Sequence, residues 1–325
     1  LKTRVCQILG CEYPIVEGGL AYVGNGRLAA AVSEGGGFGQ VGSGGRSPED
    51  FRREIEIAAS CTQKPFGVNV PLSEHRSPDA YFQVIEEMAA HIHAVSLSAG
   101  NPIPYVAPLQ RLGLVVMTLA STPRQALKAE EAGVDVVICE GVEAGGHDGP
   151  AELTTLSLVP AVCDVVSIPV VAAGGIADGR TAAAAFCLGA EGVQMGTRFV
   201  ATRECQAHEA YKQAIVDGEV TGTLVMERSL GRVTRVLDSP YTRAVLKQEQ
   251  ETPGDLDQLL PLVAGQKNAA AALEGRLDEG WANCGQSLGL VHDILPAAEV
   301  VSRIMQDVGA CLSRRASAFG QDGQA

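Results

Sequence analysis

The sequence predicts a (β/α)8 barrel carrying a C-terminal helical cap. Two observations carry that expectation. Short β-branched runs recur along the first two hundred or so residues, with Ala-rich segments of helical period between them. Most runs are apolar throughout rather than alternating, which is how a parallel strand covered on both faces reads. Eight such strand–helix units match a barrel whose typical size is about 250 residues. The rival, an open doubly wound sheet, is disfavoured because no strand leads into a GxGxxG turn followed by an acidic residue on the next strand.

Taken in order, the expected strands are Tyr13–Val16, Phe38–Val41, Phe66–Val70, Ala94–Leu97, Leu114–Leu119, Val134–Cys139, Pro169–Ala173 and Gly192–Met195. Between the fifth and sixth, Thr122–Gly133 spells one helix: a Thr cap, a Pro in the first helical position, Ala126, Leu127 and Ala129 on one side, and a closing Gly. Gly179–Gly189 is another. The Gly-rich stretch Gly35–Gly45 lacks a GK[ST] ending, so it reads as the entry and exit of strand two rather than a Walker loop. After Phe199 the chain turns polar and helical, with breaks at Pro240 and Pro253-Gly254, and Asn283 to Val308 reads as a helix closing back on the barrel. The expected organisation is therefore a barrel of residues 1–203 and 283–310, a helical cap or lid of residues 204–282, and a flexible tail of residues 311–325.

Composition narrows the function classes. The 325 residues are 46% hydrophobic, enough for a sizeable core, while aromatics are only 4%, few for a base-stacking protein. A formal net charge of −13 repels phosphate backbones and anionic lipid, which argues against nucleic-acid or membrane partners. No apolar stretch is long enough to span a bilayer, and Leu1-Lys2-Thr3-Arg4 does not begin a basic-then-apolar leader. The nine cysteines are scattered and form no CxxC, as expected of reduced thiols in a cytoplasmic protein. His91 and His93 share the face of an expected strand without a third ligand, so no metal site is expected; His75, His208 and His292 read as surface or helix residues.

The loops that follow barrel strands form the active face. Strand six leads into Glu140–Gly149, strand seven into Gly174-Gly175, and strand eight into Gly196-Thr197-Arg198-Phe199. Gly174, Gly175 and Gly196 remove side chains where backbone N–H groups must approach an anion, and each loop precedes a helix start whose free N–H groups favour phosphate. His147, with glycines at 145, 146 and 149, is placed on an open loop beside this cradle, where an imidazole titrating near neutrality can exchange a proton in turnover. Tyr22 and Asn25 are expected at the pocket mouth, and Asn69 closes strand three.

Together, the stretches Glu143–Gly149, Pro169–Gly179 and Gly189–Phe199 resemble the nitronate monooxygenase / 2-nitropropane dioxygenase superfamily, which includes the FMN-dependent enoyl-[acyl-carrier-protein] reductases of the FabK type. The resemblance runs from about Val5 to about Met305. It implies a TIM barrel binding one FMN, with Gly18, Gly19, Leu20, Asn69, Glu140, Gly145, Gly146, Ala173, Gly174, Gly175, Gln194, Met195, Gly196 and Thr197 around the cofactor and His147 on the family's proton-transfer histidine. Pro14–Leu20 is similar to the Pro-Ile-x-Gln-Gly-Gly-Met opening of the enoyl reductases, with Glu17 and Leu20 standing for Gln and Met. Ser98–Pro102 is similar to their Gly-Ala-Gly-Asn-Pro. The reading that follows is reduction of an enoyl thioester, free or carried on acyl carrier protein, by NADH or NADPH through FMN, in a homodimer. Oxidation of alkyl nitronates, quinone reduction by NADH and a flavin-free phosphate-binding barrel are the alternatives.

Overall fold

The computed structural model describes residues 2–73 and 77–318; His75 and the end of the expected tail, residues 319–325, lie outside the described residues. Eleven strands are present among them: β1 (Ile15–Glu17), β2 (Gln40–Gly42), β3 (Gly67–Pro71), β4 (Ala94–Ser98), β5 (Val115–Ala120), β6 (Val136–Glu140), β7 (Gly146–Asp148), β8 (Val170–Ala173), β9 (Gly192–Met195), β10 (Thr223–Met226) and β11 (Val233–Leu237). Eight of them form one parallel sheet in the order β1-β9-β8-β6-β5-β4-β3-β2, and a parallel bridge between Val16 and Phe38 joins its two ends. The fold is thus a (β/α)8 barrel, each strand within two residues of its expected start.

Strand alternation sorts the core into two layers. Val16, Phe38, Ala94, Met117, Val136, Ile138, Val171 and Ala173 fill the barrel interior, where they meet Val5 and Leu9 of the first helix, α1 (Arg4–Leu9), packed under the floor. Their neighbours Ile15, Val137, Val170, Ala172 and Val193 point outward, beneath the helical ring. That ring is α2 (Gly26–Glu34), α3 (Pro48–Cys61), α4 (Asp79–Met88), α5 (Ile103–Arg111), α6 (Pro123–Glu131), α7 (Thr155–Cys163) and α8 (Gly179–Cys187). In α6 the expected Thr122 cap accepts from the Gln125 N–H at 3.2 Å, with Pro123 in the first turn.

After α9 (Thr197–Val200) and α10 (Glu209–Val216), the chain departs from the all-helical cap expected for residues 204–282. β10 and β11 form an antiparallel hairpin, and β11 also pairs with β7, so the hairpin and the loop after β6 make one three-stranded sheet. The runs Thr223–Met226 and Val233–Leu237 are short, β-branched and apolar; a strand partner eighty residues upstream is what makes extended structure favourable there. Helices α11 (Pro240–Glu251), α12 (Leu256–Val263) and α13 (Gly265–Glu274) complete this region. The last helix, α14 (Ala297–Ala318), packs on α2 and α8 and continues to Ala318, so the part of the expected flexible tail that is described is helical. Among the described residues no helix is long and apolar enough to cross a membrane.

Candidate active site

A cleft of about 770 Å³ opens over the C-terminal ends of the barrel strands. It is bordered by Gly19, Leu20, Asn69, Glu140, Gly145, Gly146, His147, Ala173, Gly174, Gly175, Gln194, Gly196 and Thr197, all named from the sequence. Gly18 and Met195 are not on its wall. The Gly18 N–H is bound to the Met195 carbonyl at 2.9 Å, and the Met195 side chain points out into the strand–helix layer. Nor do Tyr22 and Asn25 reach the mouth: the Tyr22 carbonyl is taken by Arg46 and Gln206, and Asn25 is buried at the N-terminus of α2.

Two close approaches explain why glycines surround the cleft. A Cβ on Gly19 would lie 2.1 Å from the Asn69 side chain, which is held by Nδ2–H bonds to the Ser96 carbonyl (3.2 Å) and hydroxyl (2.9 Å). Gly174 has φ +94°, and a Cβ there would stand 2.6 Å from the Gly141 carbonyl oxygen. Among the described residues no backbone carbonyl takes the N–H of Gly174, Gly175 or Gly196, which leaves three donors on adjacent loops.

The expected helix-end contribution is corrected at α8. Asp178 caps that helix, its Oδ1 accepting from the N–H groups of Arg180 (3.0 Å) and Thr181 (2.9 Å). A carboxylate already occupies the position an anion would take at that helix end.

His147 is corrected too. It lies on strand β7, not on an open loop, paired opposite Thr234 of β11. The residue borders the cleft with its side chain half exposed (54%), and Nε2 lies 3.7 Å from Oε2 of Glu227, which is 3% exposed. Desolvation by the surrounding protein pushes the imidazole below its ordinary value; Glu227 pulls it up and Arg232 pushes it down. Three carboxyls, those of Glu140, Glu143 and Asp148, border the same cleft. Burial raises Glu140 to about 7, while burial and then the neighbouring Glu140 raise Asp148 to about 9. Both Asp148 oxygens, and Oδ1 of Asn283 on the same wall, are buried without a hydrogen-bond partner among the described residues. Loops free of Cβ atoms, unengaged N–H donors and a protonated carboxyl fit a planar, phosphate-bearing cofactor with polar ring edges.

Glu17 faces away from this site. It is fully buried beneath β1, off the cleft wall, with Oε2 accepting the Gln40 N–H at 3.1 Å, and burial raises its carboxyl well above the usual range despite Arg46. His91 and His93 precede β4 instead of lying on it; His93 Nε2 sits 2.9 Å from the Ile8 carbonyl.

Sequence reasoning missed Asp148, Glu227, Tyr211, Asn268 and Asn283. Tyr211, Asn268 and Asn283 come to the cleft from α10, α13 and the segment after it, and nothing in a polar helical stretch signals which residue turns inward. The Tyr211 hydroxyl donates to the Asn283 carbonyl, tying two of these segments together. Asp148 adjoins His147 and was legible as a titratable group on the same loop.

Comparison with known proteins agrees with this geometry. The nitronate monooxygenase family model matches residues 2–307. The probable nitronate monooxygenase of Staphylococcus aureus (strain JH9) is 30% identical over 349 aligned positions, covering 94% of this chain and 97% of that protein. The structure of FabK from Thermotoga maritima superposes with a TM-score of 0.91 at 41% identity, covering 98% of this chain and 99% of the other. A nitroalkane oxidase from Streptomyces ansochromogenes gives 0.82 at 29% identity, covering 95% and 99%. The chain belongs to the nitronate monooxygenase family and is an oxidoreductase of that family's flavin type.

Proposed function

We propose that this protein is an FMN-dependent, NAD(P)H-using enoyl-thioester reductase with His147 as proton donor. The observation that carries the reading is the shape of the cleft. Beyond the cradle and His147 its lining takes in Ser98, Ala99, Gly100, Asn101, Pro102 and Ile103 after β4 and Ser121, Gln125 and Lys128 after β5. A small nitronate has no use for that extension, whereas a nicotinamide donor or a thioester arm needs it. The higher identity to FabK than to the nitroalkane oxidase supports the same choice.

In this reading Gly174, Gly175, Gly196 and Thr197 hold the FMN phosphate through backbone N–H groups, while Asn69, Gln194 and Glu140 border the ring system. The flavin supplies hydride acceptance and donation. His147 gives a proton to the substrate carbon next to the thioester carbonyl as hydride reaches the neighbouring carbon, so the two C–H bonds formed balance the C=C π bond lost. Asp148, raised to about 9 by burial and Glu140, presents a protonated carboxyl to the same cleft. The alternative is oxidation of alkyl nitronates; with a neutral nitroalkane His147 would first take the acidic proton to give the nitronate, and a bound flavin would supply the oxidising chemistry.

Two expected results test the assignment. Denatured protein releases a yellow cofactor with the mass of FMN, because one phosphate cradle borders the cleft; a colourless preparation that no flavin reconstitutes overturns the flavin reading. In anaerobic stopped-flow, NADH or NADPH reduces the flavin rapidly, and a crotonyl or longer enoyl thioester reoxidises it faster than oxygen does. Sluggish reduction by both nucleotides with millisecond reduction by a nitronate would establish the nitronate alternative instead. Fast reduction by NADH with reoxidation by quinones alone would select the quinone reductase.

A further inference from the structure

We propose that Glu227 is the positioning and counter-charge residue of His147, so that the hairpin β10–β11 completes the proton-transfer machinery of the barrel. The proposal deepens the functional reading above and rests on His147 being its proton donor.

Four observations converge on Glu227. It is a buried carboxylate, 3% exposed, and its Oε2 lies 3.7 Å from His147 Nε2. Its backbone has φ +67°, a left-handed conformation disfavoured for a side chain of this size, so the surroundings must hold it there. What holds it is Glu249 of α11, itself buried, whose two oxygens accept the N–H of Glu227 at 2.9 Å and of Ser229 at 2.7 Å. Finally, the carboxylate is aimed. The Thr234 hydroxyl donates to Oε2, and Thr234 is the residue registered opposite His147 across the β7–β11 ladder. The strand pairing that places His147 therefore also places the hydroxyl that orients its counter-charge.

This arrangement follows the general logic of a histidine steered by a carboxylate, itself fixed by further hydrogen bonds. A proton donor must carry its proton before the reaction, and desolvation around His147 works against that. Glu227 opposes the desolvation, and Arg232, whose Nη1 is 3.5 Å from Glu227 Oε1, limits how far it does so. The other charged groups nearby lie elsewhere. Asp148 and Arg235 belong to the opposite face of the strand alternation, and Arg228 is engaged by Glu152.

The test is histidine titration by NMR on the flavin-loaded protein, with His147 assigned by the resonance lost in His147→Ala from the six histidines present. Glu227→Gln keeps the shape and removes the charge, so the His147 titration should fall by about one pH unit or more. Arg232→Gln removes the opposing charge and should raise it, while Glu227→Asp should return it toward the parent. A structural role for the turn would not produce shifts of opposite sign. Kinetically, Glu227→Gln should slow flavin reoxidation by the enoyl thioester on the order of tenfold or more, with flavin reduction by NAD(P)H, a hydride step needing no donor, unchanged. In a His147→Ala background it should have no further effect. Unchanged titration in both Glu227→Gln and Arg232→Gln overturns the proposal. Should Glu227→Gln fail to fold, an unchanged titration in Arg232→Gln overturns it by itself. If instead the titrations shift as stated but His147→Ala reoxidises at the parental rate, the pair stands and the proton-donor reading is what fails.

Discussion

His147→Ala is expected to bind flavin and accept hydride from NAD(P)H like the parent, yet to reduce an enoyl thioester a hundred- to ten-thousand-fold more slowly, the usual range for a general acid–base residue. His147 lines the same cleft as the glycine loops with a half-exposed side chain, and its strand carries no bulky neighbour except Asp148. Measuring the two half-reactions separately by stopped-flow absorbance decides the matter. A variant whose reoxidation rate equals the parent's removes His147 from the chemistry, and one that loses flavin as well shows that the ring was structural.

Gly174→Val should produce a folded barrel that purifies without flavin. The residue sits at φ +94°, where an L side chain is disfavoured by about 1–2 kcal/mol. Its Cβ would press to 2.6 Å on the Gly141 carbonyl and 2.9 Å on the Thr155 hydroxyl, neither of which can yield freely. The Thr155 hydroxyl itself lies 2.9 Å from the Gly174 carbonyl and 3.1 Å from Glu143 Oε2, so the loop is clamped from both sides. Relief requires the loop to move, and its N–H groups, which no backbone carbonyl takes among the described residues, move with it. Flavin affinity should drop on the order of a hundredfold, from strain of about 1–3 kcal/mol together with the displaced donors. Fluorescence titration of the apoprotein with FMN measures this, with circular dichroism reporting the fold. Parental affinity would mean that the cofactor phosphate is held elsewhere.

Much of the architecture is readable in one dimension because barrel strands are short, parallel and covered on both faces. That geometry demands continuous apolar runs such as Val136–Glu140 and Val170–Ala173, and such runs stand out along the chain. The glycine loops are readable for a related reason: a backbone that must approach a ligand or adopt positive φ excludes nearly every other residue, as Gly19 and Gly174 illustrate.

Other features depend on pairings that a local pattern does not encode. Thr223–Met226 and Val233–Leu237 sit in a polar, helix-rich stretch and become strands because β7 offers them a third edge. Burial of Asp148, which raises its carboxyl to about 9, comes from the protein packed around β7. Asp178 illustrates the converse: it was legible as part of a Gly-rich turn, yet its side chain caps α8 and withdraws that helix end from ligand binding. Residue type and spacing by themselves determined the barrel, and they named the glycines and His147 that line its cleft, since backbone sterics and strand burial leave local traces. Only the tertiary structure decided what faces His147, because the Glu227 carboxylate reaches it through an antiparallel ladder joining segments some eighty residues apart, and long-range pairing leaves no such trace.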